Sequence, residues 1–301
     1  MEKRGLVFVL GTAIISGFSI FVNKFGVSET NPYLFTGLKN CIVAVFLFSI
    51  IILLKEYKSV QELTKKQWSQ LILIGFVGGS IPFLLFFKGL QLTTAVRGGF
   101  IQKSLFIFVA VLATFFLKEK LNKSILAGAV LLLIGNALVL NFISPGFSIG
   151  DVLIVIAVLF WAVEIVISKH VLKELSSNIV AFGRMFFGSL FIIIFLLITN
   201  QLSLVSQITT TQLSWILITS LFLLLYVFTF YTGLKYIQAT VATSVLLLGQ
   251  IITLALSYIF LHQQITFVQA LGMLALVMGT IFIIGISNIS ALVWRTPHEQ
   301  P

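Results

Sequence analysis

Shifted by 144 residues, the chain falls on itself: Gly89-Leu90 recurs as Gly233-Leu234, Phe116-Leu117 as Phe260-Leu261, and Gly128 and Gly135 as Gly272 and Gly279. A shift of 145 carries the earlier part, Gly5 onto Gly150, Gly17 onto Ala162, Lys24 onto Lys169 and Lys39 onto Arg184. Neither stretch needs a gap, so one unit is written twice, and the fold must be one that a tandem duplicate can build. That unit is apolar almost throughout. Runs such as 6–21, 41–54, 125–140 and 190–198 read as membrane spans, because an apolar core ~30 Å thick takes about 20 residues of helix to cross. With 59% hydrophobic and 9% charged residues, against about a quarter charged in a soluble domain, the chain could not cover its own surface in water. Alternating β-barrel patterning is absent, which leaves helices as the spanning elements.

The expected fold is therefore an all-α integral membrane protein of ten transmembrane helices, at 5–25, 33–54, 68–87, 93–117, 122–142, 150–169, 178–199, 212–233, 238–261 and 266–287. They group as two five-helix repeats, 5–142 and 150–287, with a tail at 288–301. The connections are short, which leaves no room for an appended soluble domain. The start, Met1-Glu2-Lys3-Arg4 before an apolar run, imitates a signal peptide, but the repeat needs this segment as its first helix. Of the 19 Lys and Arg, thirteen fall on one side of the predicted spans, two (Lys24 and Lys88) on the other, and four (Lys39, Arg97, Lys103 and Arg184) inside spans. Basic loops favour the cytoplasm, so both termini are expected there, with the protein in the inner or plasma membrane. Five crossings per unit is an odd number, so the second unit enters from the opposite side and the repeats are inverted in topology. Secondary transporters are built this way, with a site near the midplane between the repeats.

The formal charge of +10 does not read as a nucleic-acid footprint, because the basic residues are scattered over short loops. One cysteine, Cys41, excludes an intrachain disulfide framework and a Cys-rich metal site. The three histidines (His170, His262 and His298) sit at span ends or in the tail, which argues against intramembrane zinc. Neither a cofactor nor a catalytic residue is expected.

Gly17-Phe18-Ser19 with Lys24 in the first span, Trp161-Ala162 with Lys169 in the sixth, and Lys39 and Arg184 in the second span of each repeat make up a pattern. With Phe116-Leu117-Lys118-Glu119-Lys120-Leu121 closing the fourth span and Gly128…Gly135 in the fifth, the chain resembles the drug/metabolite transporter superfamily in its ten-helix form of two EamA-type repeats. The resemblance covers roughly residues 5–286. It departs from the family where Phe106 and Gln250 replace a frequent proline in the fourth and ninth helices, and where His262-Gln263-Gln264 replaces the acidic-basic close. What it implies is alternating-access movement of small metabolites, often amino-acid efflux, through a cavity between the repeats. Helices 1, 3, 4, 6, 8 and 9 line that cavity in the family, and 5 and 10 lie outside.

Candidate site residues follow from where polar groups fall within spans. Thr12, Ser16, Ser19 and Asn23 are four, three and four apart, hence on one helix face, and the 145 shift maps them onto Ala157, Trp161, Glu164 and Ser168. A polar stripe in both halves points to two walls of one watery cavity, with helix packing by small hydroxylic residues as the plain alternative. Glu164 is the only acid deep in a span, about 14 residues or ~20 Å into it, where an ionisable group reads first as functional. It is the proton-coupling candidate, and a partner for a basic residue or a substrate amine otherwise. Lys103, flanked by Gln102 and Ser104, lies near mid-membrane and is expected to pair with Glu164 or a substrate carboxylate. Arg97 is about 120° away round the same helix, so the two cannot both point into one cavity. The matched placement of Lys39 and Arg184 in the two repeats favours a structural role, capping helix ends or gripping headgroups. Tyr226 in the eighth span, and Thr243 and Gln250 in the ninth, suit a small ligand with polar and apolar parts. The cluster Gly78-Gly79-Ser80-Ile81-Pro82 predicts a kink or gate in the third helix. The spacing of Gly128/Gly135 and Gly272/Gly279 predicts close helix packing within each repeat, with a homodimer seam as the alternative to a monomer.

Taken together, these residues predict a secondary transporter for a small polar metabolite, an amino acid or related compound, exported across the plasma membrane with protons as a candidate coupling ion. A channel, or an intramembrane enzyme acting on a small amphipathic substrate, is the competing expectation. The enzyme is disfavoured because one deep acid and no buried histidine assemble no hydrolytic or metal site.

Overall fold

The structure, a computed structural model, describes residues 3–140 and 148–285. Arg295, His298 and the predicted tail at 288–301, with 141–142 and 286–287 at the ends of the predicted repeats, lie outside the described residues. Among the described residues ten long helices follow one another. They are α1 (Lys3–Glu29), α2 (Pro32–Leu53), α3 (Lys65–Gln91), α4 (Ala95–Leu117), α5 (Lys123–Leu140), α6 (Ile149–Val171), α7 (Ser177–Ile198), α8 (Thr210–Tyr236), α9 (Ala239–Leu261) and α10 (Phe267–Ile284). Nine are long and apolar enough to cross a membrane, and α5 is a shorter apolar tenth. Large side chains such as Phe46, Phe115, Phe116, Phe267 and Leu274 stand exposed on the outer surface, an arrangement that water would penalise and lipid would not.

The helices start where the sequence supplies a side-chain oxygen for the orphan N–H groups of a first turn. Thr64 with Gln67, Ser148 with Asp151, Thr209 with Gln212 and Thr266 with Gln269 form capping boxes at α3, α6, α8 and α10. This is why α3 begins at Lys65 instead of the predicted 68. Asn31 caps α2 ahead of Pro32, accepting from the N–H groups of Tyr33 and Leu34 at 3.0 and 3.1 Å. The long connection before α3 holds a short helix, Tyr57–Gln61, and the 145 shift carries it onto the 3-10 turn Leu202–Gln207.

The two halves are knitted together by contacts that come in shifted pairs, called twins below. The backbones of α3 and α6 touch at Gly89 and Gly150, where a Cβ on Gly89 would lie 2.6 Å from the Gly150 carbonyl oxygen. Those of α8 and α1 touch at the twin glycines, Gly233 and Gly5, with 3.0 Å for the corresponding distance. Lys24 donates to the carbonyls of Leu90, Gln91 and Thr93 at the end of α3, and its twin Lys169 donates to those of Leu234, Lys235 and Ile237 at the end of α8. Both lysines therefore spend their charge on helix C-termini.

Three departures from regular helix matter. Gly75–Ser80 of α3 forms a π-helical stretch just ahead of Pro82, the kink that the glycine-proline cluster predicts. Helix α4 breaks at Ser104, and α9 breaks at Leu246 and Leu247. These breaks fall at closely matching positions of the two copies, although Phe106 and Gln250 stand where the family often has proline. Ser104 Oγ turns back onto the Ile101 carbonyl at 2.6 Å, a local bond that competes with the helical ladder. Both helices end on a left-handed residue, Lys118 at φ 56° and its twin His262 at φ 53°.

The glycine pairs pack closely, but across the halves and not within each repeat as their spacing predicts. Helix α5 packs on α10, where a Cβ on Gly135 would lie 2.8 Å from the Gly272 carbonyl oxygen, and one on Gly128 2.7 Å from that of Gly279. The α5/α10 pair crosses at backbone distance, and no second copy of the chain is needed to cover these glycines. Gly272→Val is thus expected to overpack the crossing and destabilise by about 1–3 kcal/mol, read as a lower unfolding midpoint in detergent. Gly11→Val, at a glycine with nothing within 4 Å, should leave that midpoint nearly unchanged.

Candidate functional site

A chamber of about 70 Å³ lies at the centre between the two halves. Its wall holds Ser16, Ser19 and Asn23 of α1, Lys39 of α2, and Phe83, Phe86 and Phe87 of α3. Gln102 of α4, Trp161 and Glu164 of α6, Arg184 of α7 and Tyr226 and Phe230 of α8 also line it, with Ile20, Leu105, Ile165 and Leu223 as its aliphatic part. Ligand pockets run to ~300–1,000 Å³, so the chamber in this conformation has room for water and must widen to admit a metabolite. Among the described residues α5 and α10 contribute nothing to the wall, as the resemblance implies; α9, which it places there, contributes nothing either, and α2 and α7, which it does not place there, supply the two cations.

Glu164 is 1% exposed. Its Oε1 accepts from the Tyr231 hydroxyl and from Ser168 Oγ, and its Oε2 lies 3.7 Å from Arg184 Nε. Arg184 in turn sits over aromatic faces, its Cζ 5.2 Å from the Phe83 ring centre and 5.8 Å from that of Tyr231. The π-helical stretch of α3 closes over this group. A Cβ on Gly78 would fall 2.0 Å from Glu164 Cγ, and the carbonyls that the stretch displaces are taken up by Trp161 Nε1 (to Gly78, 3.1 Å) and Asn40 Nδ2 (to Gly79, 2.8 Å). The glycines of α3 thus serve to bring backbone against the acid.

Lys39 is also 1% exposed. Its ammonium donates to Asn23 Oδ1 and lies 4.3 and 4.8 Å from the ring centres of Phe87 and Phe35. Asn23 Nδ2 donates onward to Ser19 Oγ at 2.9 Å. The sequence places Lys39 and Arg184 at helix ends or headgroups. In the structure both stand in the chamber wall, because each faces inward from a helix packed on the opposite half, α2 on α7.

Other expected residues are distributed differently. The predicted pairing of Lys103 with Glu164 does not occur: Lys103 Nζ donates to Ser16 Oγ at 2.6 Å, and Arg184 is the cation beside Glu164. Lys103 and Thr243 line a small void of about 10 Å³ that shares Gln102 and Tyr226 with the chamber. Gln250 lies outside the chamber wall, its Nε2 on the Val96 carbonyl at 3.2 Å, where it ties α9 to α4. Arg97 points away from the chamber and binds Asp151 at 2.9 Å. Thr12, the first member of the α1 stripe, bonds Thr229 at 2.8 Å and so packs α1 on α8. Sequence reasoning misses Tyr231 and the phenylalanines of α3, which 30 Phe in the chain conceal. The one available signal is the shift itself, since 144 carries Phe87, beside one buried cation, onto Tyr231, beside the other.

A second pair of twins differs between the two ends of the molecule. At the end of α4, Glu119 accepts from the backbone N–H groups of Ala239 (2.6 Å) and Thr240 (3.1 Å) at the start of α9. The twin of Glu119 is Gln263, whose side chain makes no such bond among the described residues. A void of about 300 Å³ lies there, lined by Gln263, Ala95 and Val96, the last two being the twins of the bonded residues. A void of about 470 Å³ also lies at the bonded end, lined by Asn122, Tyr236, Ile237 and Gln238, so the two ends differ in the Glu119 bonds and not in having a void.

The sequence model of the EamA-like transporter family matches the chain twice, at residues 3–141 and 148–285. The uncharacterized transporter YetK of Bacillus subtilis is 28% identical over 294 residues, covering 94% of this chain and 87% of its own. The uncharacterized transporter YoaV of the same organism is 28% identical over 282 residues, covering 90% and 93%. The protein LicB of Haemophilus influenzae is 27% identical over 191 residues, covering 60% and 63%. A solved crystal structure superposes with a TM-score of 0.73 at 14% identity, covering 94% of this chain and 96% of that one, a likeness of fold. With two successive matches to one family spanning both halves of a bundle that closes around a polar chamber, the chain belongs to the EamA-like transporters of the drug/metabolite transporter superfamily.

Proposed function

We propose that this membrane transporter is a secondary carrier that exports a small polar metabolite, an amino acid or related compound, by alternating access between two inverted five-helix halves, with both termini in the cytoplasm. The observation that carries the reading is the twin pair at the two ends: Glu119 bonded to the start of α9, and Gln263 without the corresponding bonds to the start of α4 among the described residues. Two copies of one unit, each able to close its own end, can exchange these arrangements while keeping nearly the same set of contacts. Opening one end as the other closes is what a carrier requires and a channel does not. Five crossings in each half support the inverted topology. The central chamber, too small as it stands for a metabolite, fits a conformation in which the site is partly closed.

Glu164 is the group proposed to couple transport to protons. It is deep in the bundle, lines the chamber and is held by two hydroxyls that tolerate either protonation state, since a hydroxyl can donate to a carboxylate or accept from a carboxylic acid. Movement of the substrate against Arg184 would then bias the acid between its two forms.

Three outcomes test the reading. In proteoliposomes, substrate on the far side should accelerate exchange of a labelled amino acid, whereas a channel shows no such acceleration and an enzyme releases product. Glu164→Gln should abolish pH-driven uptake while leaving substrate binding measurable, and full transport by that variant would remove the proton role. Glu119→Gln replaces a charge-assisted cap by the amide found at its twin, a loss of about 1 kcal/mol and hence a ~5-fold shift toward the unlatched end. With Cys41 replaced by Ser, a Thr240→Cys probe, buried at 2% exposure for the native residue, is expected to react with a maleimide several-fold faster when Glu119→Gln is added.

A further inference from the structure

The charges of the chamber are themselves twins, and one set is incomplete. The second half holds Glu164, Arg184, Tyr231 and Ser168 as one charge-paired group, with the acid bonded to both hydroxyls and 3.7 Å from the guanidinium, whose Nε makes no hydrogen bond among the described residues. The shift of 144–145 maps these four onto Ser19, Lys39, Phe87 and Asn23. The cation is retained. The acid has become a serine and the phenol a phenylalanine. Lys39 is therefore a buried ammonium with an amide oxygen and two aromatic faces for company, and no carboxylate within ion-pair distance among the described residues. A charge deep in a membrane protein without a counter-charge is expensive, and cation–π contacts return only part of that.

We infer that Lys39 is the docking cation for a carboxylate of the transported molecule, which takes the place that Glu164 fills in the other half. The inference rests on the carrier reading of the chamber and names the ligand chemistry within it. The chamber that Lys39 faces is lined by Ser19 and Asn23 as well as by Phe83 and Phe87, polar groups for the carboxylate and apolar faces for what it is attached to. Lys103 is the rival anchor, also buried and without a carboxylate. Its void is about 10 Å³ and its twin is Leu247, so neither the space nor the paired arrangement exists there.

The test uses the purified full-length protein and thermal shift with three sets of probes: L-amino acids, their C-terminal amides, and short aliphatic monocarboxylates. At least one carboxylate should stabilise the wild type while the matching amide does not. Lys39→Gln is expected to weaken that carboxylate by roughly 10- to 100-fold, and Lys103→Gln by less. Ser19→Glu rebuilds the pair of the second half, so it should raise the unfolding midpoint without ligand and abolish the ligand-induced shift. If Lys39→Gln does not fold, Lys39→Arg, which keeps the charge, should bind, and Ser19→Glu still decides. Equal binding of plain acids and amino acids assigns recognition to the carboxylate alone; tighter binding of amino acids adds an ammonium contact at Glu164, and either supports the inference. Amides that bind as well as acids, wild-type binding by Ser19→Glu, Lys103→Gln as the more damaging change, or no shift with any carboxylate would overturn it. Carboxylate binding through Lys39 without counterflow would defeat the carrier reading and leave the anchor standing; counterflow of amides at the rate of acids would do the reverse.

Discussion

In the apolar slab that this chain occupies, a polar group keeps only the partners that the protein provides, because no water stands ready to replace them. The architecture can be followed from that constraint. Backbone groups close into helices, and the helix ends draw on capping boxes and on long cations. Lys24 and Lys169 lie across the carbonyls that end α3 and α8, where the last turns leave acceptors unsatisfied. The π-helical stretch of α3 releases carbonyls, and Trp161 and Asn40 take them. Even the glycines answer to the same constraint, since bringing backbones to within a Cβ of one another at Gly89/Gly150 and Gly5/Gly233 leaves no gap that water would have to fill.

Much of this is legible in the sequence. The 144–145 shift places all ten helices, and the breaker cluster at 78–82 marks the irregular part of α3. The inward face of α1 can be read from Ser16, Ser19 and Asn23, because a stripe at three- and four-residue spacing has only one side to occupy. Partnerships between helices cannot. Glu164 offers no sequence cue for choosing Arg184 over Lys103, since that choice depends on how α2 and α7 tilt across the bundle, and each of these helices carries a single charge with no stripe to orient it. The breaks in α4 and α9 are equally silent, because Ser104 and Leu247 lack the proline that usually announces one. The glycine pairs of α5 and α10 identify a close crossing but not which helix stands opposite, as a seven-residue spacing is the same signal for any partner.

Twin positions separate what the framework requires from what one half alone needs. Several contacts that hold the bundle together are chemically equal in the two copies: lysine on carbonyls, threonine and glutamine at the starts of α3 and α8, glycine on glycine. In the chamber wall Ile20 and Ile165, and Phe86 and Phe230, are equal, and the divergence is confined to the groups about the two cations, serine against glutamate and phenylalanine against tyrosine. A packing contact constrains both copies alike, while a ligand lies in only one orientation at a time, so the chamber is where a duplicated protein has reason to be asymmetric.

Asymmetry at the two ends follows a related logic. Glu56 receives bonds from Ser176 and Asn178, whereas its twin Gln201 receives one from Asn31 at 2.9 Å. Glu119 and Gln263 repeat that exchange of acid for amide. Both acids lie at the end where the basic loops cluster, and there they make the stronger, charge-assisted ties. In the alternating-access cycle proposed for this chain, two perfectly equal ends would leave the inward- and outward-facing arrangements balanced, and a bias of several kcal/mol would empty one of them. Replacing an amide by an acid at a single end contact changes the balance by about 1 kcal/mol. That is enough to set a resting preference while leaving the other state populated for the cycle.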